Sequence, residues 1–434
     1  MPADARVGPA ALDGLRVVDL TQNLAGPFCT QTLGDLGADV IKIEPPGGDP
    51  ARAWGPPFQD GTSTLFLSAN RNKRSIALDL RNEAARAVVR RLAISADVYV
   101  QSLRPGAADA LGLGPDALCR ANPRLIACSV TAYGPRGPLA DLPGYDPLMQ
   151  AHAGLMSVTG RPGDPVRVGV SVVDMGTGLW AALAILAALR ERDRTGRGTH
   201  IVTSLFETAL SLSSYHLMGY WASGAVPGAL GTSFPLIAPY GAFPTADGRL
   251  MIAAANDSLF GRLCDVLALD GTADDPRFRD NPGRVQHREA LETVISTATR
   301  RRTTHELGEA LRGRSIPCAP ILDIAGVAAE PQTEAGGAVD RSPHPRVEGY
   351  ASVSPPFEWA GGRTRTRRVP PLAGEHTGEL LESLGFDPAG IERLRRAGAL
   401  GNNELAGHVQ RSGDRAVPGR PNGGSTLDQP ATDE

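Results

Sequence analysis

The chain reads as an α/β protein with an open, Rossmann-like sheet and a smaller α+β domain added to it. Three observations predict this. Short β-branched runs alternate with segments of helical period through the first half, and the first of those runs reads as a buried parallel strand. From about Pro239 the texture changes to a hairpin followed by amphipathic helices.

The first strand is LRVVDL, Leu15–Leu20. The helix after it runs from Phe28 to Leu36, with Pro27 at a first helical position, where a missing N–H costs nothing, and Gly37 closing it. DVIKIE, Asp39–Glu44, is the second strand and completes a β-α-β unit. Arg74–Leu80, Asp97–Ser102 and Leu125–Gly134 are further strands, separated by helices at Glu83–Ala96 and Pro115–Ala121. VRVGVSVVD, Val166–Asp174, reads as a strand ending in Met-Gly-Thr-Gly, followed by an apolar helix stopped by Gly196. HIVTSLFETAL is a strand feeding another helix. In the middle region, two apolar runs flank Ala246-Asp247-Gly248, a tight-turn sequence. The division expected is residues 1–225, 230–325 and 326–400, with 407–434 a polar, disordered tail.

Composition narrows the function. The 434 residues carry 44 Lys and Arg against 47 Asp and Glu, so no concentrated positive surface for nucleic acid is indicated. Five widely spaced cysteines argue against a disulfide framework or thiolate zinc site, and the eight histidines show no metal-ligand spacing. The N-terminus lacks the apolar region of a signal peptide, and the most apolar stretch, Gly169–Leu189, contains Asp174 and reads as buried rather than membrane-spanning. A cytoplasmic location is expected, without a metal or a membrane.

Several residues stand out for their chemistry. The loop after the first strand holds Ala25-Gly26-Pro27 and lacks GxGxxG, which weighs against a dinucleotide and leaves either an anion site or plain topology. Arg71, Lys73 and Arg74 before one strand and Arg104 after another sit where open sheets bind ligands; they are phosphate contacts or solvated turns. Asp174 lies between apolar segments, so its carboxylate must be hydrogen-bonded or functional. Its neighbouring glycines leave backbone N–H groups for an anion, whereas the bland alternative is a helix cap. Taken alone, Tyr145 and Asp146 in PGYDP form a turn.

An ordered set of segments then resembles the class III CoA-transferase family (CaiB/BaiF type), which includes formyl-CoA transferase, carnitine CoA-transferase and α-methylacyl-CoA racemase. The set comprises Leu12–Asp49, Asn70–Leu80, Arg104–Gly114, Gly144–Gly160, Val168–Leu189, Gly196–Leu210, Pro239–Leu250, Ile316–Asp323 and Pro370–Phe386. Order and spacing hold over roughly residues 12–398. The resemblance implies a large domain built from N- and C-terminal segments, a small middle domain, and an interlocked homodimer. It also implies transfer of CoA from an acyl-CoA donor to a small carboxylic acid, with coenzyme A and acyl-CoA as substrates rather than a permanent cofactor.

By position, the resemblance makes Asp174 the nucleophile that forms mixed-anhydride and aspartyl-CoA intermediates, with Tyr145 and Asp146 as its catalytic neighbours. It assigns Leu24, Ala25, Gly26, Pro27, Arg52, Asn72, Lys73, Arg74 and Arg104 to the CoA channel, with Arg52 and Arg104 on the phosphates. The racemase members are similar but have Gly-His-Asp where this chain has Gly144-Tyr145-Asp146. A phenol with a pKa near ~10 replaces imidazole poorly in moving an α-proton. Transfer is therefore favoured over a 2-methylacyl-CoA racemase and over a non-catalytic CoA-binding paralogue. Leu24 stands where formyl-CoA transferase has glutamine, which counts against an oxalate-type pocket, and Ser102-Leu103 stands where Asn-Phe is common, which is expected to loosen one CoA contact.

Overall fold

The computed structural model describes residues 10–401. The expected disordered tail, 407–434, lies outside the described residues. Six strands form one sheet: β1 (Arg16–Leu20), β2 (Asp39–Glu44), β3 (Lys73–Ala77), β4 (Val98–Gln101), β5 (Ile126–Thr131) and β6 (His200–Ser204). Their order is β6-β5-β4-β1-β2-β3 and every pairing is parallel. This is the doubly wound order, in which the chain leaves β3 at one edge and returns beside β1 as β4. The switch point lies between the carboxyl ends of β1 and β4, where open α/β sheets take their ligands. The loops leaving those strands are tied together there, the Gln22 N–H donating to Ser102 Oγ at 3.1 Å.

Each face of the sheet carries its own core. On one face, α2 (Glu83–Ile94) and α3 (Pro115–Ala121) pack through Val88, Val89, Leu92 and Leu118. On the other, α1 (Ala25–Asp35) lies beside α5 (Val172–Thr195), with Cys29, Leu33, Ala181 and Ile185 between them. α4 (Asp146–His152) and α6 (Leu205–Leu212) close its upper end. α1 begins two residues earlier than Pro27, which therefore sits in the third helical position. The proline is still within the first turn, where N–H groups have no helical partner.

α5 overturns one expectation. Residues 166–171 form no strand: the helix already begins at Val172, so Asp174, Gly176 and Gly178 all lie inside it. The glycines serve packing instead of offering free N–H groups. A Cβ on Gly178 would stand 2.6 Å from the Ala25 carbonyl oxygen, so α5 and α1 cross there in backbone contact. At the other end, Arg192 meets Asp97 at 3.0 Å, just before β4, and Gly196 ends the helix in the left-handed conformation. The helix thus runs antiparallel to the strands, its first turn standing above their carboxyl ends. Its 24 residues span about 36 Å. It is long and apolar enough to cross a bilayer by length and composition, yet one face is packed on the sheet. Leu179, Trp180 and Leu183 on its outer face are about half exposed.

A third core belongs to a small α+β unit. Strands β7 (Tyr240–Pro244), β8 (Arg249–Ala253) and β9 (Cys318–Pro320) form an antiparallel sheet in that order. Helices Asp257–Leu267, Arg288–Thr299 and Thr304–Gly313 cover it through Phe260, Leu263, Leu291, Ile295 and Leu307. The chain then returns to the large sheet. The Arg367 and Arg368 N–H groups donate to Asn72 Oδ1, the His376 N–H to the Ser75 carbonyl, and the Gly401 N–H to that of Ala77. Leu380, Leu381, Ile391 and Leu394 complete the core beneath α2.

Candidate active site

The first turn of α5 brings Asp174, Asp146 and, through α4, Gln150 together. Asp146 opens α4 with its side chain buried. Its Oδ2 accepts the N–H groups of Val173 at 2.8 Å and Asp174 at 3.2 Å. Its Oδ1 accepts from Gln150 Nε2 at 2.6 Å, and Gln150 Oε1 accepts the Val168 N–H at 2.8 Å. Asp146 therefore caps α5 from another helix, a role left open because Ser171 at the N-cap makes no side-chain cap bond. Sequence reasoning missed Gln150, although its spacing of four from Asp146 would place both on one helix face.

Asp174 has the opposite environment. Among the described residues nothing donates a hydrogen bond to its carboxylate. Burial, reinforced by the Asp146 charge, raises its pKa to about 7. A carboxylate with free lone pairs, poised near neutrality on a fixed backbone, is equipped to attack a carbonyl. Tyr145 is 55% exposed, its ring meeting that of Trp54 edge-on at 6.4 Å.

The expected CoA-channel residues divide sharply. Leu24, Ala25, Gly26 and Pro27 lie at the start of α1, all buried. Gly26 is required by Thr21, whose Cβ would lie 2.3 Å from an added Cβ. Lys73 is fully buried and donates to Asp19 Oδ2, Pro27 O and Asn70 Oδ1. Asn72 holds the return segment and donates to Asp35, which is also paired with Arg71. Arg74 spends its guanidinium on Asp39 and Glu379. Arg52 grips Glu44 through Nε and Nη2, both at 2.8 Å, donates to Pro371 O, and lies over the Phe66 ring. These cations were expected as ligand contacts because they occur at strand ends, but carboxylates brought beside them by the fold claim their donors. Only Arg104 among the expected cations is exposed, and among the described residues its guanidinium has no partner.

Arg104 stands just past the switch point on a loop with its own support. The Leu103 N–H donates to Gln101 Oε1 at 2.7 Å, and Gln101 Nε2 donates to Ser129 Oγ at 2.8 Å. Ser129 Oγ lies 3.0 Å from His200 Nε2, and His200 Nδ1 lies 3.1 Å from Asp116. The Ser-His-Asp order imitates a hydrolytic triad, but Ser129 is buried in β5 and already hydrogen-bonded to Gln101, so the chain of bonds acts as a brace.

An open Rossmann-like sheet, an interposed α+β unit, and an unpartnered aspartate above the switch point together define the class. The chain belongs to CoA-transferase family III, whose family model matches residues 12–377. It is a class III CoA-transferase, an enzyme that moves CoA between an acyl-CoA and a carboxylate. It is 39% identical over 396 residues to succinyl-CoA:glutarate CoA-transferase of Mus musculus, covering 91% of each chain. It is 40% identical over 382 residues to succinate–glutarate CoA-transferase of Agrobacterium fabrum, covering 86% of this chain and 95% of that one. Among solved structures, a CAIB/BAIF family protein from Brucella suis superposes with a TM-score of 0.78 at 39% identity, over 87% of this chain and 100% of that one.

Proposed function

We propose that this enzyme transfers CoA between dicarboxylic acids through covalent intermediates on Asp174. The observation that carries the reading is the unpartnered Asp174 carboxylate on the capped first turn of α5. A carboxylate oxygen of Asp174 attacks the thioester carbonyl of the donor. The C–S bond breaks, giving an acyl-aspartyl anhydride and CoA thiolate. The thiolate attacks the aspartyl carbonyl and releases the donor acid, leaving an aspartyl-CoA thioester. The acceptor carboxylate displaces the thiolate to form a second anhydride. Attack on its acceptor carbonyl yields the new acyl-CoA and frees Asp174. One acid leaves for each that enters, so the thioester's activation is conserved and no nucleoside triphosphate is consumed.

The dicarboxylate class rests on the succinyl, succinate and glutarate named in the relatives. Arg104 is the phosphate contact this reading favours, being the exposed, unpartnered cation at the switch point. The half-exposed outer face of α5 supports a homodimer, since a helix apolar all round is normally buried on every side. The test is to incubate the enzyme with succinyl-CoA, add neutral hydroxylamine, and map adducts by peptide mass spectrometry. A hydroxamate on Asp174 that requires acyl-CoA, with glutaryl-CoA formed when glutarate is present, is the expected result. No adduct, together with α-proton exchange of a 2-methylacyl-CoA in heavy water, would replace transfer by racemisation.

A further inference from the structure

An aspartate at the third position of a helix is drawn toward that helix's own N–H groups. Those groups have no helical acceptor, and a negative side chain in the first turn satisfies them readily. Asp174 holds this position in α5 yet makes no such bond, because Asp146 already accepts the N–H groups of Val173 and Asp174. The orientation of Asp146 is in turn fixed by Gln150. The Gln150 amide can sit only one way: its NH2 faces the Asp146 carboxylate and its carbonyl faces the Val168 N–H. Turned over, it would oppose oxygen to oxygen and N–H to N–H. Both side chains are almost completely buried, so water is a poor replacement for either bond.

We propose that Gln150 is a positioning residue for CoA transfer. Through Asp146 it keeps the N–H groups of α5 occupied, which leaves the Asp174 carboxylate free to attack the thioester. Through Val168 it also anchors the segment that leads into α5, so one side chain holds the turn from both directions. The proposal rests on the reading of Asp174 as the nucleophile.

Two variants test it. Gln150→Met keeps length and volume while removing both hydrogen bonds. Gln150→Glu retains an acceptor for Val168 and, measured at a pH high enough to ionise it, sets a second carboxylate against Asp146. For each, kcat, KM for acyl-CoA, and the rate of acyl-CoA-dependent hydroxamate formation at Asp174 are measured, with thermal melting as a check on folding. The expected result is a fall of about 10²-fold in kcat and in adduct formation, of the size that misplacing a reacting group produces, with KM within about threefold. In a crystal structure of the Met variant, the Asp174 carboxylate is expected to turn onto the α5 N–H groups. A folded variant whose kcat and adduct rate stay within about twofold, or whose loss falls on KM, overturns the proposal. Should the Met variant fail to fold, the Glu variant, which keeps the polar volume, decides by the same measurements. A wild-type adduct on a residue other than Asp174 overturns the nucleophile reading itself. An Asp174 adduct indifferent to Gln150 overturns only the positioning role.

Discussion

Two sets of carboxylates, one fully buried and one partly so, lie within one half of this molecule and have opposite fates. Beneath the ends of β1, β2 and β3, Asp19, Glu44 and Asp49 are matched with Lys73, Arg52 and Lys42. Burial alone would raise Asp19, but Lys73 and Lys42, with the hydroxyls of Thr21 and Thr30, outweigh it and bring its pKa down to about 2. Glu44 is lowered too, its burial overcome mainly by Arg52. Above the same sheet, Asp174 is part-buried beside a like charge, has no donor among the described residues, and rises to about 7. Asp19 and Glu44, with their hydrogen bonds satisfied, are held ionised and serve architecture, whereas Asp174 keeps its lone pairs free, as the proposed nucleophile requires.

The largest expected effect breaks the saturated half. Asp19→Asn leaves Lys73 in the interior without its ion pair and is expected to cost roughly 3–5 kcal/mol. Denaturant unfolding checks this. Asp19→Asn combined with Lys73→Met removes both charges and is expected to recover part of the loss, since two absent charges cost less than one stranded. Asp19 also sets an acid limit. Its depressed pKa contributes stability that is present above its ordinary value of 3.8 and is lost as pH falls toward 2.

Asp174 predicts the reverse sign. Its raised pKa means the folded protein favours the neutral acid, so stability falls as pH climbs from 3.8 through 7, while the proposed nucleophile becomes ionised over that climb. Asp174→Asn is therefore expected to abolish transfer, by at least ~10³-fold in kcat. The same variant is expected to melt a few degrees higher than wild type at pH 8 and equally at pH 4. Equal melting temperatures at both values would mean that burial does not burden this carboxylate. In the wild type, kcat/KM is expected to rise with pH to a plateau with a midpoint near 7. Asp146→Asn, by removing the neighbouring charge, moves that midpoint downward.

The sheet was legible in the sequence because β-branched runs and helical periods follow from local geometry. β1, β2 and the Tyr240–Ala253 hairpin needed little else. The stretch before Asp174 misled because Val166–Val173 has β-branched content, whereas in the fold the helix cap supplied by Asp146 fixes where α5 begins. The same long-range effect hid the fate of the cations. Arg52, Lys73 and Arg74 look like phosphate ligands by residue type and position, and only the folded chain brings Glu44, Asp19 and Asp39 against them. Gln150 carried a readable signal in its spacing from Asp146, but its acceptor contact with Val168 joins residues 18 apart through tertiary structure.

The smallest effects separate the two kinds of arginine. Arg104→Ala removes an exposed side chain with no internal bond among the described residues, so melting is expected to stay unchanged while KM for acyl-CoA rises about tenfold, the loss of the proposed charge-assisted phosphate contact. Arg52→Ala exposes the contrast, because Glu44 is left buried with one donor set missing and stability falls. Weaker still is the brace behind Arg104. Ser129→Ala cuts the link between Gln101 and His200 without touching the surface loop. Gln101 keeps its bond to the Leu103 N–H but loses its own anchor, so the loop gains freedom that binding must remove. A two- to threefold rise in KM at constant kcat is expected, about 0.5 kcal/mol of ordering. Because this acts only through Arg104, Ser129→Ala is expected to add nothing to Arg104→Ala; additive increases in KM would mean that the brace supports a different contact.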